Sequence, residues 1–240
     1  GVGATSGTTP GTAIVRLGNN YTTGAITLSG TAYNTSNAIT LKGGSYAINA
    51  TSGDVSIVTS GDAVTFGTST MTGDLTIGEK KLTIDTDTED TGSGGNITFY
   101  GDILGADTGN VATNTAADLV LDASSGNVTV KSIGANGTVA SNTASNEIND
   151  ITLKGANIEL AGVINATGLG TQGGSASGDD DGAITFTGAV KFLGDTTIDS
   201  DSTNDGAISF SSTINDDANA ATDSNVVIKS GVGAVTVTGK

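Results

Sequence analysis

The 240-residue sequence predicts an all-β fold built by stacking one repeated unit on the next. Three observations carry that prediction. A short phrase keeps returning: glycine, a small or polar residue, an aliphatic residue, Thr or Ser, and a second apolar residue. Apolar/polar alternation dominates elsewhere, as in Asp118–Asp122, Asn225–Lys229 and Ala234–Thr238, and no stretch sustains the i, i+3, i+4, i+7 spacing of a helix over three turns. The apolar supply is thin and aliphatic, with 4% aromatic residues and no Trp. That composition suits a narrow core of Ile, Val, Leu and Ala.

In chain order the phrase reads Gly24-Ala-Ile-Thr-Leu28, Gly53-Asp-Val-Ser-Ile57, Gly73-Asp-Leu-Thr-Ile77, Gly95-Asn-Ile-Thr-Phe99 and Gly126-Asn-Val-Thr-Val130. A looser copy, Ala156-Asn-Ile-Glu-Leu160, precedes Gly182-Ala-Ile-Thr-Phe186, Gly206-Ala-Ile-Ser-Phe210 and Gly233-Ala-Val-Thr-Val237. Each copy reads as a turn followed by a short strand with its apolar residues on one face. Several copies have a second strand just upstream, such as Ile151–Leu153 before Ala156 and Val226–Ile228 before Gly233. The unit therefore reads as strand, short turn, strand and a longer polar loop. Those loops are Glu89–Gly95, Gly105–Ala117, Gly134–Asn149, Gly168–Gly182 and Asn215–Asn225, rich in residues that turn at little steric cost.

The phrases recur about every 26 residues, within the range expected of a stacked repeat. The predicted architecture is a right-handed parallel β-helix (β-solenoid) of about nine irregular rungs. The alternative is a tandem antiparallel β-sandwich, which needs no internal repeat. Residues 1–12 read as a flexible N-terminal arm and candidate donor strand, and 13–240 as a single β-solenoid domain. No linker interrupts the phrase.

Composition narrows function. With 25 acidic residues against 9 basic ones the net charge is −16, so no basic face exists to bind nucleic acid. No apolar run approaches the ~18–20 residues of a membrane span. Cysteine and histidine are both absent, which removes disulfides, thiol nucleophiles and His-dependent triads. Pro occurs once, and the 37 glycines lack the strict every-third spacing of collagen.

The phrases Gly95-Asn-Ile-Thr-Phe-Tyr-Gly-Asp-Ile103, Gly182-Ala-Ile-Thr-Phe-Thr-Gly-Ala-Val190 and Leu119-Val-Leu-Asp-Ala-Ser-Ser-Gly-Asn-Val-Thr-Val130 resemble the filamentous-haemagglutinin-like adhesins and related exoproteins, large bacterial surface proteins. The resemblance lies in repeat style and covers nearly the whole chain. It implies a secreted or cell-surface bacterial shaft, stalk or fibre that serves adhesion or matrix building.

Two acidic phrases stand out, Thr83-Ile-Asp-Thr-Asp-Thr-Glu-Asp90 and Thr197-Ile-Asp-Ser-Asp-Ser202. Strand alternation would put Asp85, Asp87 and Glu89 on one face, and Asp199 and Asp201 on another, with Asp205 following. Carboxylates converging at a turn suit Ca²⁺, so these six residues are the candidate metal ligands. No EF-hand or calcium β-roll signature accompanies them, and a solvated acidic edge is the plainer reading. Threonine rows of the ice-binding kind are not expected, because the Thr-x-Thr pairs show no strict period.

The expected function is structural and non-enzymatic: an extracellular protein that forms or extends a filament by head-to-tail self-association of its end turns. The strand pattern runs to both ends, at Ala13–Leu17 and Ala234–Thr238, which moves attention there. The alternatives are an adhesin shaft that binds a glycan or host-surface ligand, and a carbohydrate-active β-helix enzyme. No organic cofactor is expected.

Overall fold

The computed structural model describes residues 15–17, 24–50, 53–78, 80–87, 93–105, 117–134, 148–166, 182–201, 205–216 and 223–239. The expected N-terminal arm, most of the polar loops and Glu89 lie outside them. The described residues form strands joined by turns, with no helix. The strands curl into one 15-stranded and one four-stranded sheet.

Every strand pair is parallel, so the antiparallel alternative is corrected. Antiparallel bridges occur singly at corners, Ser60 with Asp87 and Thr68 with Met71. The reason is the order of pairing. From Val15–Leu17 to Ile97–Phe99, each strand bonds not to its sequence neighbour but to the third strand after it. Three parallel ladders result. The first holds Val15–Leu17, Ile39–Leu41, Val64–Phe66, Ile97–Phe99, Asn127–Val130, residues 157–160 and 189–192, and Ile214–Asp216. The second holds Ala25–Leu28, Ser45–Ile48, Leu75–Ile77, Ile103–Gly105, the Ile133 bridge, residues 162–165 and 196–199, and Val226–Lys229. The third holds Ala32–Asn34, Val55–Val58, Leu82–Asp85, Ala117–Asp122, residues 148–154 and 184–187, Ile208–Phe210 and Val235–Val237.

Each ladder thus has eight members among the described residues, where about nine turns were expected. The repeated phrase does not occupy one ladder. Gly95-Asn-Ile-Thr-Phe99 enters the first ladder, Gly73-Asp-Leu-Thr-Ile77 the second and Gly182-Ala-Ile-Thr-Phe186 the third. The phrase marks passage from any corner into a strand, not one position in each turn.

Its grammar has a physical reading at each place. At Gly73, Gly95, Gly126 and Gly233 the backbone of an earlier turn lies where a Cβ would go, as the Gly95 carbonyl does at Gly126; Gly53 has open space but a φ of +75°. The Asp or Asn that follows reaches the next turn. Asp102 N–H donates to Asp74 Oδ1 at 2.9 Å, and Asn127 N–H donates to Asn96 Oδ1 at 2.9 Å. Asn157 Nδ2 in turn donates to Asn127 Oδ1 at 2.9 Å. The flanking apolar residues fill the interior, and the Thr or Ser between them faces out.

Two elements depart from short strands. Ile148–Asn165 and Ile184–Asp199 are continuous and pass through all three ladders. Their corners are absorbed as register shifts, between Lys154 and Asn157 and between Leu160 and Gly162, instead of as turns.

The core is less purely aliphatic than composition suggests. All five phenylalanines, at 66, 99, 186, 192 and 210, are buried in inner rows. Register neighbours stack: Phe66 and Phe99 at 4.6 Å and 14°, Phe186 and Phe210 at 4.8 Å and 13°. These separations match the ~4.7–4.9 Å between neighbouring strands, so the backbone ladder itself sets the ring stacking. Tyr46 packs edge-on to Phe66, and its buried hydroxyl is satisfied by the Gly43 N–H at 2.8 Å and the Leu41 carbonyl at 3.0 Å.

Candidate functional site

The acidic phrases come first, because the sequence singles them out. The strand alternation assumed for Asp85 and Asp87 stops at Asp85, which ends its strand. Asp85 Oδ1 accepts the Asp87 N–H at 2.8 Å, and Asp87 itself is buried past the corner. Asp199 does the same, accepting the Asp201 N–H at 3.0 Å, and its other oxygen pairs with Lys229 Nζ at 3.1 Å. Asp122, which the sequence reading did not select, repeats the device: its Oδ1 accepts the Ser124 N–H at 2.8 Å and its Oδ2 pairs with Lys154 at 2.8 Å. All three aspartates close a strand by hydrogen-bonding the backbone two residues on, the turn chemistry for which Asp is favoured.

The two acidic phrases are not brought together. Asp85 lies in the third ladder, in register with Asp122, whereas Asp199 lies in the second beside Lys229. Asp205 Oδ2 accepts the Val232 N–H at 2.8 Å, and Asp201 is exposed. Among the described residues no group of three or more acidic side chains is placed to hold a metal ion. What these carboxylates visibly do is close corners and tie one turn to the next. The same tie recurs where Ala183 N–H donates to Asp150 Oδ1 at 2.8 Å and Asn225 N–H to Asp195 Oδ1 at 2.9 Å.

The more distinctive site is the face of the last described turn. Inner-row residues of earlier turns are sealed by the turn that follows: Val190, Ile198, Ile208 and Phe210 are at most 1% exposed. Their register partners on the last turn are Ile214, Ile228, Val235 and Val237, and these are 37–52% exposed. Val226 beside them is also open. An outermost strand of a parallel sheet presents backbone donors and acceptors along its edge. The first ladder ends differently. Its inner row runs Leu41, Phe66, Phe99, Val130, Leu160, Phe192, all buried, and then Asp216. Asp216 Oδ2 accepts the Ser224 N–H at 3.1 Å across the corner. The sequence pattern already drew attention to the strand at Ala234–Thr238, whereas Asp216 was not selected from it. The signal for Asp216 is its register with Phe192, which becomes visible once the ladders are drawn.

Among the described residues no helix is long and apolar enough to cross a membrane. No protein-family model matches this sequence, and searches of curated proteins and of solved structures found no match.

Proposed function

We propose that this chain is a structural shaft, wound as a right-handed parallel β-helix, whose last turn accepts a further turn of the same kind from a second copy. The product is a head-to-tail filament. In line with the haemagglutinin-like repeat style, that filament is a bacterial secreted or surface fibre. Pairing of each strand with the third strand after it supports the winding. The observation that carries the function is the exposed apolar edge of the last described turn, whose register partners on the turn before it are buried.

The first described turn offers the complement. Ile26 and Tyr33 pack only partly against the core, and each heads the row that ends at Ile228 or Val237, respectively. Because donor and acceptor faces differ, the contact is heterologous and propagates instead of closing on itself. Each joint would bury apolar side chains at roughly 25 cal/mol per Å² and engage strand edges in the way β-augmentation does.

Sedimentation of the purified chain over a concentration series, with negative-stain images of the heavy fraction, tests the proposal. Unbranched filaments with an axial repeat of one copy are expected. A chain that stays monomeric at all concentrations and pH values overturns the reading.

A further inference from the structure

We propose that the corner around Tyr100 is a binding site for a neutral sugar ring, formed by Tyr100, Asp102 and Lys131. The site lies in the middle of the stack, so it goes beyond the shaft reading and stands whether or not copies join.

Tyr100 is the one exposed aromatic side chain among the described residues, at 38%. Every described phenylalanine and Tyr46 are buried, and Tyr33 packs partly against the core. The Tyr100 backbone is pinned, because its N–H donates to the Phe66 carbonyl of the preceding turn at 3.0 Å. Gly67 follows Phe66, and a Cβ there would stand 3.1 Å from the Tyr100 Cβ. The glycine therefore leaves the root of the ring uncrowded from that side. Just beyond Gly67, a turn closed by reciprocal backbone bonds between Thr68 and Met71, at 2.9 and 3.0 Å, exposes Ser69 and Thr70 beside it.

The polar partners sit across the corner. Asp102 is two residues past Tyr100, and its N–H donates to Asp74 Oδ1 at 2.9 Å, which fixes the backbone there. Lys131 follows Val130 as Tyr100 follows Phe99, on strands that pair in register. Its Nζ reaches back to within 3.3 Å of Asp102 Oδ1. That oxygen is buried and makes no hydrogen bond, so the quarter of the Asp102 side chain that meets water is its other carboxyl oxygen and its methylene. The Lys131 side chain is 58% exposed, and its ammonium keeps donors to spare.

A fixed ring face, an ammonium donor and a carboxylate acceptor at one corner suit a ligand with one apolar face and hydroxyls along its edge. A pyranose has that shape. Tyr offers its contact area at low cost in conformational entropy, and hydrogen bonds to the two charged groups are the stronger kind. With a net charge of −16 the chain repels uronate and sulfated sugars, which leaves neutral ones as the class that fits.

Native affinity electrophoresis of the whole chain tests the site, in gels containing hydroxyethylcellulose, galactomannan, soluble starch or polygalacturonate. At least one of the three neutral polymers is expected to retard wild type, and polygalacturonate to leave its mobility unchanged. Tyr100→Ala should weaken the retardation at least tenfold, Lys131→Met at least threefold, and Tyr100→Phe, which keeps the ring, less than threefold. Leu193→Ala removes another exposed apolar side chain, 40% exposed, and should stay within twofold of wild type. Circular dichroism melts establish that each variant is folded, and Lys131→Met carries the test if Tyr100→Ala is not. Wild type that passes all three neutral polymers unretarded overturns the proposal. So does retardation by polygalacturonate equal to that by a neutral polymer, or a loss in Leu193→Ala as large as in Tyr100→Ala.

Discussion

Two copies of one phrase behave oppositely. Gly206-Ala-Ile-Ser-Phe210 and Gly233-Ala-Val-Thr-Val237 are register partners in the third ladder, with the same order of glycine, small, aliphatic, hydroxyl and apolar residues. In the first, both inner side chains are sealed; in the second, both are open. Nothing in the local sequence accounts for the difference. Burial in this fold is conferred by the following turn, so stability is a property of neighbouring pairs of turns more than of strands. The middle of the chain shows the limit of that logic. Ile148–Asn165 and Ile184–Asp199 lie against each other over twelve registered residue pairs and through all three ladders, and both are sealed from either side.

The largest expected effect exploits this contrast directly. Phe186→Ala removes a ring stacked on Phe210 and enclosed between two turns, and should cost about 3–5 kcal/mol. Val237→Ala, at the equivalent position of the last turn, should cost under about 1 kcal/mol because its side chain is already half in water. Urea unfolding of the two variants checks the difference. Equal losses would break the claim that the next turn confers burial.

Backbone approach gives the next effect. Gly188 sits at φ +137°, and a Cβ there would collide with the Gly155 carbonyl of the preceding turn. Gly194, six residues on, has open space around the same direction. Gly188→Ala should destabilise by about 1–3 kcal/mol through strain, and Gly194→Ala by less than about 0.5 kcal/mol. Thermal melts of both variants measure it. A tolerant Gly188 would mean that the turns move apart more readily than the glycine stacking implies.

Much of this was legible beforehand, and the exceptions have physical reasons. The all-β class followed from alternation, and the strand entries from the phrase, because both depend on residues close in sequence. Parallel pairing was expected from the repeat, because stacked like units pair like strands; which particular strands meet depends on distant residues, and the polar loops conceal that spacing. Counting phrases does not count ladder positions, because strands without the phrase, such as Ile39–Leu41 and Leu82–Asp85, hold positions equal to those that carry it. Gly155 and Gly162 look like turn residues yet lie inside one long strand, where the register shifts accommodate them. The aspartates were noticed for their number. Their work at strand ends became visible only in the geometry, as did Asp216, an ordinary loop acid until Phe192 is found beside it.

Removing a tie between turns should have a smaller effect. Asn96→Ala leaves the Asn127 N–H without its side-chain acceptor, but water can replace that acceptor at this exposed site. A loss of about 0.5–1.5 kcal/mol is expected. Asp205→Ala does the same to Val232 on the last turn. Amide hydrogen exchange at residues 127 and 232 should separate the two sites. Faster exchange at 232 than at 127 would show that the last described turn relies more on such ties.

The smallest effect tests the other side of the comparison. Lys154 pairs with Asp122 in the interior turns, and Lys229 pairs with Asp199 on the last turn, at 2.8 and 3.1 Å. Both lysines lie on outward rows, open to water whichever turn they occupy. If the following turn governs only the inner rows, position along the stack should not matter here. Lys154→Met and Lys229→Met are each expected to cost less than about 1 kcal/mol, by amounts that agree within about 0.3 kcal/mol, and raising salt to about 0.5 M should shrink both. A Lys229 variant several times more costly than its interior counterpart would mean that charge pairing, and not apolar contact alone, holds the last turn in place. The stacking surface would then have to be redrawn to include its outer edge.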